Sequence, residues 1–379
     1  MKKVLMLASV ASMINQFNMP NIHLLQEMGY EVHVACNFKE GSTCSDEKVL
    51  EIKRDLEELG IPYYQIDFSR NVFRLDRAVK AYFQTVHLLK LQRFDFIHCH
   101  SPIGGMIGRL AGHAAGTKVM YTAHGFHFFK GAPKRYWMFI YPIEKFCSKY
   151  TDMLLTINQE DYHRALEKFQ AKRTEYIPGV GIDVAKLQSV SVDVKEKRKE
   201  LGIPEDAFLV LSVGEVNDNK NHETVIKAFA KAEIPNSFYL ICGKGAKTEE
   251  LKDLCKKLGV EEQVKFLGFR SDAKQICNCA DVFAFPSKRE GLGLSALEAM
   301  AAGIPLLTSN VHGINDYSIN GKSGYNCAPL DVEGFAKAMR KLYEMPKERE
   351  QMGSRNKEQV WRFDIHRVDE IMRKLYSSM

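Results

Sequence analysis

The feature that most constrains the fold of this chain is a regular alternation of short apolar runs with longer segments of helical periodicity. In the first half, the apolar runs typical of strands are "VLMLA", "EVHVACN", "PYYQIDF", "FDFIHCH", "KVMYTAH", "DMLLTIN" and "TEYIP". Between them lie segments such as "DEKVLEIKRDLEELG", with apolar residues three and four positions apart and a closing glycine. Strands that alternate with helices predict an α/β fold with parallel sheets.

This rhythm breaks near residues 178–195, where glycine and small polar residues indicate a linker. A second series of apolar runs follows: "AFLVLSVGEV", "SFYLICGKG", "QVKFLGF", "DVFAFPS", "IPLLTSN" and "SGYNCAP". A chain of 379 residues is also longer than one hydrophobic core usually supports. The sequence therefore predicts two Rossmann-like, doubly wound domains over 1–185 and 186–360, and a helix at 361–379 that packs back toward the first domain. Open α/β sheets bind ligands at the carboxyl ends of their strands, so two domains facing across a cleft would hold two substrates.

Composition narrows the class of protein. The apolar start of the chain reads as a buried first strand, and no run approaches the roughly 20 apolar residues of a membrane-spanning helix. The nine cysteines lack zinc-ligand spacing and are typical of a reducing cytosol. The net charge of +6 is concentrated locally, because residues 118–150 hold six lysines and arginines against one acid, Glu144. This distribution argues against a nucleic-acid partner.

The glycines argue against a dinucleotide enzyme. After "VLMLA" the chain continues "SVASMINQF" instead of G-x-G-x-x-G, and no Walker A sequence occurs. Glycines instead follow strands of the second half, in "VGEVNDNKN", "CGKG" and "EGLGL". These loops are the predicted phosphate-binding elements.

The stretch "PSKREGLGLSALEAMAAG" carries the most specific chemistry. Gly291 and Gly293 would let the backbone approach a ligand closely, and Ser295 is the expected N-cap of the helix that follows. The free N–H groups at such a helix start suit a phosphate. Glu298, one turn inside the helix, would repel a phosphate but could accept two ribose hydroxyls. Glu290 would meet the other end of an elongated ligand.

Two acids around a phosphate-binding loop therefore describe a nucleotide-sugar. A purely structural alternative stays open for this pair, in which Glu290 is solvated and Glu298 caps a neighbouring element.

The segment E-G-L-G-L-x-x-L-E-A-M-A-x-G-x-P resembles the E-x7-E sequence of retaining, GT-B fold glycosyltransferases of family 4. "SVGEVNDNKNHETVIKAF", "FLGFRSD" and "YTAHGFHFF" also resemble that family's diphosphate, nucleobase and N-domain histidine loops. "FNMPNIHLLQEMGYEVHVACN" resembles the branch that builds capsule, exopolysaccharide and lipid-linked glycans.

The resemblance implies a role for each matching residue. Lys220 would bind the donor diphosphate and Glu298 the ribose, while Glu290 with the amides of Gly291 through Leu294 would hold the sugar and phosphate. His124 would face the donor sugar from the first domain, and His124, Glu290 and Lys220 form the predicted catalytic set. Further predicted donor-site residues are Gly214, Asn221, Gly243, Phe269, Arg270, Leu292 and Gly293. On the acceptor side the predicted residues are Ser12, Met13, His100 and Ser101.

Two departures from the family pattern stand out. Many members carry an arginine five residues before the lysine, and this chain has Glu215 there, so Arg270, Lys244 or Arg289 would have to supply a second positive charge. The first loop has "ASMIN" where many members have a Gly-Gly pair.

The chain contains no D-x-D sequence, so Lys220 and the 291–295 loop are expected to stabilise the leaving diphosphate without an essential metal or cofactor. Retention at the anomeric carbon is implied by the resemblance alone.

Residues 126–150 combine nine aromatic side chains with five lysines and arginines. This composition fits either a core helix with a basic outer face or a peripheral membrane patch that meets a polyprenyl-diphosphate-linked acceptor.

The sequence thus predicts a metal-independent glycosyltransferase at the cytoplasmic face of the membrane, which uses a UDP-sugar to extend a glycan or lipid-linked acceptor. Alternatives are a nucleotide-sugar 2-epimerase of the same architecture and a non-catalytic partner subunit.

Overall fold

A computed structural model describes residues 1–42, 44–69 and 74–379. The chain forms two compact units, the first of residues 1–180 with 366–379 and the second of residues 181–365. The sequence prediction had placed the boundaries at 185/186 and 360/361. Each unit has its own sheet.

The first unit contains a seven-stranded sheet in which every strand pairing is parallel. Its strands are β1 (Lys3–Val10), β2 (Glu31–Asn37), β3 (Tyr63–Gln65), β4 (Phe96–His100), β5 (Lys118–Ala123), β6 (Met153–Thr156) and β7 (Arg173–Tyr176). They lie in the order β3-β2-β1-β4-β5-β6-β7. The order reverses between β1 and β4, and such a reversal opens a crevice at the carboxyl edge of the sheet.

Helices connect these strands. They are α1 (Ala11–Phe17), α2 (Met19–Glu27), α3 (Asp46–Glu58), α4 (Leu75–Gln92), α5 (Pro102–Ala115), α6 (Lys134–Ser148) and α7 (Gln159–Lys168). Local chemistry sets several starts: Ser45 Oγ accepts the Lys48 N–H before α3, and Asn158 accepts the Asp161 N–H before α7.

The second unit contains a six-stranded sheet that is also parallel throughout its named strand pairs. Its strands are β8 (Phe208–Val213), β9 (Ser237–Cys242), β10 (Val264–Gly268), β11 (Val282–Phe285), β12 (Leu306–Ser309) and β13 (Gly324–Cys327). They lie in the order β10-β9-β8-β11-β12-β13, with the reversal between β8 and β11. The predicted α/β class with two Rossmann-like domains is confirmed.

The helices of the second unit are α8 (Val184–Gln188), α9 (Val194–Glu200), α10 (His222–Ala232), α11 (Thr248–Leu258), α12 (Ala273–Cys277), α13 (Leu294–Ala302), α14 (Val332–Glu344) and α15 (Pro346–Gln359). Two 3₁₀ segments, His312–Asp316 and Val360–Phe363, complete it. Asp331 caps α14 by accepting the Gly334 N–H.

Each sheet is buried under its helices. Leu5, Ile97 and Phe128 are fully or almost fully buried in the core of the first unit, as are Val210 and Phe335 in that of the second. Burial of each such side chain contributes about 1.5–3 kcal/mol, which fixes the strands and hence the loops at their carboxyl ends.

The last helix, α16 (Ile365–Ser377), contributes to the first unit. Tyr376 is completely buried there, with its hydroxyl 2.9 Å from His98 Nδ1, and its carbonyl accepts a hydrogen bond from Tyr30. The predicted helical tail is confirmed.

Candidate functional site

An ion pair lies at the carboxyl edge of the second sheet. Lys220, in the loop between β8 and α10, has its Nζ 3.0 and 3.1 Å from the two carboxylate oxygens of Glu290. The ammonium also lies 4.8 Å from the centre of the Phe285 ring, at the end of β11. Both charged side chains are largely buried, at 21% and 15% exposure. The structure thus brings together two of the three predicted catalytic residues.

The loop that carries Lys220 is held by its own asparagines. Asn217 accepts the Lys220 backbone N–H at 2.9 Å. Asn221 has a left-handed backbone, φ 58°, and donates its amide to the carbonyls of Pro286 and Pro329. The Asn221 side chain is therefore occupied in joining this loop to its neighbours, and it presents no free donor to the predicted ligand.

Gly293 determines how the next loop approaches the site. Its φ is +96°, and a Cβ there would lie 2.6 Å from the Phe285 ring and 2.9 Å from the Tyr317 hydroxyl. Glycine is therefore required both for the backbone conformation and for the space. Gly293 is also the N-cap of α13, so the prediction of Ser295 as N-cap was wrong: the left-handed glycine starts the helix earlier.

The start of α13 presents backbone donors. Ala296 and Leu297 donate their N–H groups to the Gly293 carbonyl. Leu294 and Ser295 are the first two residues of α13, so their N–H groups have no acceptor within the helix. Leu292 is buried at 4% exposure and anchors the turn. The turn from Gly291 to Leu294 therefore combines a close backbone approach with a helix N-terminus, as an anion site requires.

Glu298 lies in a different environment from Glu290. It lines a small cavity with Val213, Cys277 and Phe283. Burial raises the pKa of its carboxyl above the ordinary value, and Lys274 Nζ, 3.7 Å away, opposes that shift. A carboxylate accepts hydrogen bonds through both of its oxygens, so Glu298 can accept them from neutral hydroxyls.

Two predicted glycines let adjacent loops pack together. A Cβ on Gly243 would lie 1.8 Å from the Gly214 carbonyl oxygen, so only glycine fits. The Gly243 N–H donates to the Gly268 carbonyl at 2.7 Å, which joins the ends of β9 and β10. These residues shape the loops that surround Lys220.

Phe269 and Arg270, in the loop predicted to bind the nucleobase, lie in different environments. Phe269 is 76% exposed directly after β10, where its ring could stack on a planar ligand. Arg270 donates to Asp272 and Glu200 at 2.6–2.7 Å, so its charge is already paired. The expectation that Arg270 supplies the second positive charge is therefore not supported.

Two other cations remain candidates for the predicted second positive charge at the diphosphate. Lys244 is exposed beside Gly243, and Arg289 has no ion pair within the described part of the chain. Glu215, which replaces the family's arginine, is exposed to solvent.

In the first unit, the histidines at the strand ends are connected. His100 Nδ1 lies 3.1 Å from His124 Nε2, and the His98 and His100 rings are 4.1 Å apart. His124 is half-buried and lines a cavity with Pro20, Asn21 and Gly179. Burial lowers the pKa of His124 to about 4, so its imidazole is neutral near pH 7.

His100 and Ser101, which the sequence predicted on the acceptor side, are buried in the structure. They are only 1% and 7% exposed. The Ser101 hydroxyl donates to Ser9 Oγ at 2.9 Å, which ties the end of β4 to that of β1. The two ring nitrogens of His100 contact His124 Nε2 and Met6 Sδ.

Ser12 and Met13 lie in the first turn of α1, directly after β1. Ser12 is buried and Met13 is half-buried. The strand therefore runs into a helix here without a glycine turn.

Two aromatic residues near the predicted site were not identified from the sequence. Phe285 contacts Lys220 from the end of β11, and Tyr317 is fully buried with its hydroxyl near Gly293. Burial and the nearby Glu290 hold the pKa of the Tyr317 phenol well above its ordinary value. In the sequence, Phe285 was marked only as part of the predicted strand "DVFAFPS", and no predicted feature included Tyr317.

Across residues 1–42, 44–69 and 74–379, no group of three or more histidines, cysteines or acids is arranged to hold a metal ion.

Comparison with known proteins bears on both units. The model of Glycosyltransferase Family 4 matches residues 22–186, and that of Glycosyl transferases group 1 matches residues 193–359. EpsD of Bacillus subtilis (strain 168), described as a glycosyltransferase, is 36% identical over 385 residues, covering 100% of this chain and 97% of its own length. The UDP-Gal:alpha-D-GlcNAc-diphosphoundecaprenol alpha-1,3-galactosyltransferase of Escherichia coli is 26% identical, covering 88% of this chain and 85% of its own.

Solved structures match in fold. Anabaena Alr3699/HepE in complex with UDP has a TM-score of 0.80 at 19% identity, with 100% of both chains covered. Sucrose-phosphate synthase from Thermosynechococcus elongatus has a TM-score of 0.81 at 20% identity, covering 100% of this chain and 99% of its own. The fold is therefore GT-B, and with the family matches over both units the chain belongs to the family 4 glycosyltransferases.

Proposed function

We propose that this glycosyltransferase moves a sugar from a UDP-sugar to a lipid-linked glycan acceptor, with retention of configuration, during assembly of a bacterial surface polysaccharide. The donor class is supported by the uridine donor named for the Escherichia coli relative and by the UDP complex of the Anabaena structure. The acceptor class is supported by the diphosphoundecaprenol substrate of that same relative.

The observation that carries the proposal is the Lys220–Glu290 pair beside the Gly291–Leu294 turn. An ammonium group has three donors, and Glu290 does not exhaust them. The remaining capacity and the N–H groups of Leu294 and Ser295 can bind a diphosphate, while Glu290 accepts hydroxyls of the sugar next to it. Glu298, further along α13, is then positioned for the ribose.

These residues suit the charge that develops during transfer. When the bond between the anomeric carbon and the phosphate oxygen breaks, negative charge accumulates on the departing UDP. The acceptor oxygen forms the new bond on the same face, and its proton passes to a phosphate oxygen of the leaving group. Lys220 and the α13 amides stabilise that anion, so the reaction as proposed needs no divalent metal.

An apolar surface of the first unit supports a membrane-bound acceptor. On α4, Leu75, Val79 and Phe83 are 55–71% exposed and recur every four residues along one side of the helix. On α6, Phe139 and Ile143 are 61% and 42% exposed.

Leu75, Phe139 and Ile143 line one groove of about 590 Å³, with Arg74 and Arg135 beside them. We call α4 and α6 with this groove the apolar face. Lys130, Lys134 and Arg135 are exposed at or near it, and this combination of apolar and basic groups suits an anionic bilayer surface. No helix within the described ranges is long and apolar enough to cross a bilayer. We therefore propose a peripheral enzyme at the cytoplasmic face.

The test is an assay of purified protein with UDP-glucose, UDP-galactose and UDP-N-acetylglucosamine, each with polyprenyl-diphosphate-linked sugar acceptors. We expect one donor to yield a glycosylated lipid whose new linkage is α by NMR, with undiminished rate in EDTA. A β linkage would contradict retention, and loss of activity in EDTA would contradict metal independence. Release of a 2-epimerised sugar without acceptor would favour the epimerase alternative.

A further inference from the structure

Three histidines of the first unit, His98, His100 and His124, form a connected set of polar groups that are buried or half-buried. His98 Nδ1 lies 2.9 Å from the hydroxyl of Tyr376, and His98 Nε2 lies 2.7 Å from Thr122 Oγ1. The His100 ring lies next to it, and His100 Nδ1 reaches His124 Nε2 at 3.1 Å. Only His124 is exposed enough to meet a ligand.

The other nitrogen of His100 faces a sulfur. His100 Nε2 lies 3.0 Å from Met6 Sδ, in the middle of β1. A thioether sulfur accepts hydrogen bonds and has no proton to donate. His100 Nε2 must therefore carry a hydrogen, because two lone pairs would otherwise face each other at this distance.

This assignment determines the state of the next histidine. His100 is 1% exposed, and burial together with the neighbouring histidines lowers its pKa well below the ordinary value, so it is neutral. A neutral imidazole with a proton on Nε2 has a bare Nδ1, which can only accept. His124 must then donate from its Nε2, and since it is neutral as well, its own Nδ1 is bare.

We propose that Met6 and His100 are positioning residues that fix the tautomer of His124 with a bare Nδ1, so that His124 presents a hydrogen-bond acceptor to a sugar hydroxyl. No hydrogen bond from a described residue engages that nitrogen. This role rests on the proposed function, because it assumes that the donor sugar reaches His124.

The assignment distinguishes two ways in which His124 could act. A nitrogen with a pKa of about 4 is a weak general base near pH 7 but a good acceptor of a hydroxyl proton in a hydrogen bond. His124 is thereby a group that orients the sugar, and the acceptor proton leaves through the donor phosphate. His100 reaches the substrate only through it.

The test uses histidine labelled with ¹⁵N and long-range proton–nitrogen NMR spectra of the full chain, with the His124 signals assigned by their loss in His124→Gln. In the unliganded protein we expect a protonated Nε2 and a bare Nδ1 on His124. In Met6→Leu, which removes the sulfur acceptor at similar volume, we expect a mixture of tautomers. Met153→Leu, a buried methionine on β6 of the same sheet, serves as the control and should leave the spectrum unchanged.

Activity provides the second measurement. His100→Leu should lower kcat/KM about tenfold, the lower end of the loss found when the partner that orients a metal-ligating histidine is removed. His100→Asn, whose amide oxygen can take the place of Nδ1, should restore part of that loss.

A bare Nε2 on His124 in the natural protein, or an unchanged His124 spectrum in Met6→Leu, would overturn the proposal. The NMR measurement needs no sugar transfer, so absence of transferase activity with the expected tautomer would count against the proposed function alone.

Discussion

At the scale of single residues, two acids eight positions apart have different partners. Glu290 shares an ammonium with Lys220, whereas Glu298 lies in a small cavity with Lys274 at a longer distance. A phosphate can bind beside the first acid because the lysine neutralises the repulsion. The second acid has a more distant cation, Lys274 Nζ at 3.7 Å, and burial raises the pKa of its carboxyl, so it suits neutral hydroxyls better than phosphate oxygens.

Replacement of the lysine tests this difference. Lys220→Ala should weaken UDP binding about ten- to one-hundredfold by isothermal titration calorimetry, because it removes a charge-assisted contact worth about 1.5–3 kcal/mol. The double variant Lys220→Ala, Glu290→Gln removes both charges. Comparison with Lys220→Ala distinguishes the effect of losing the cation from the effect of leaving the Glu290 carboxylate unpaired.

Lys322→Ala, at an exposed lysine of the same unit, is the matched control and should bind UDP normally. Undiminished UDP affinity in Lys220→Ala would show that the diphosphate binds elsewhere.

At the scale of secondary-structure elements, the sequence predicted the strands well. Every named strand of both sheets coincides with a predicted strand segment. Central strands such as β1 and β4 are almost fully buried and therefore read as apolar runs, whereas the edge strand β7 is more polar and partly exposed. Strand order could not be read from periodicity. The contact between His100 on β4 and His124 after β5 depends on that order, which is why the sequence assigned them separate roles.

The periodicity of the sequence also did not predict that α4 and α6 line one groove. The aromatic segment 126–150 divides in the structure, with Phe126 and Phe128 in the core and Phe139 exposed on α6. The exposed residues of α4 have ordinary amphipathic spacing, so nothing in the sequence marked them as part of the apolar face. Tertiary packing alone brings Leu75 and Phe139 to one groove.

Substitution of the glycine that starts α13 provides a test at this scale. Gly293→Ala should lower both the melting temperature and the affinity for UDP, because it combines a strained backbone with a Cβ 2.6 Å from Phe285. Gly321→Ala is the matched control: its φ is +73°, but nothing lies within 4 Å of the added Cβ.

The control should lose only the roughly 1–2 kcal/mol of backbone strain and keep its UDP affinity. Equal effects of both substitutions would show that the space at Gly293 is unimportant.

The apolar face provides a second test at the scale of secondary-structure elements. Reversal of charge at Lys130, Lys134 and Arg135 to glutamate should reduce co-sedimentation with liposomes that contain anionic lipid, because each basic group near such a surface contributes about 1 kcal/mol. The same change at Lys322, Lys337 and Lys347, which are exposed in the second unit, alters net charge equally and should have little effect. Similar loss in both variants would point to net charge instead of this surface.

At the scale of the whole molecule, the described histidines whose pKa is lowered by burial are unevenly distributed between the two units. In the first, burial lowers the pKa of His98 to about 3 and that of His124 to about 4, and it holds the pKa of His100 well below its usual range. In the second, burial lowers the pKa of His222 to about 4. Unfolded histidine has a pKa near 6.5, so below that pH the unfolded chain binds more protons than the folded one.

Acidification should therefore destabilise the first unit more than the second. Between pH 7 and pH 5 we expect the amide protection factors, which correct for the intrinsic pH dependence of exchange, to fall more in peptides of β4 and β5 than in those of β8 and β9. Each neutral buried histidine removes up to about 1.4 kcal/mol per pH unit below 6.5. An equal change in protection of both sheets between pH 7 and pH 5 would contradict this prediction.

The proposed function depends most on where the nucleotide binds in the second unit, and a crystal structure with UDP measures that directly. We expect the β-phosphate within hydrogen-bond distance of Lys220 Nζ and the α13 amides, and both ribose hydroxyls on the Glu298 carboxylate. UDP bound with its ribose away from Glu298, or an empty site beside Lys220 with the nucleotide elsewhere, would contradict the account.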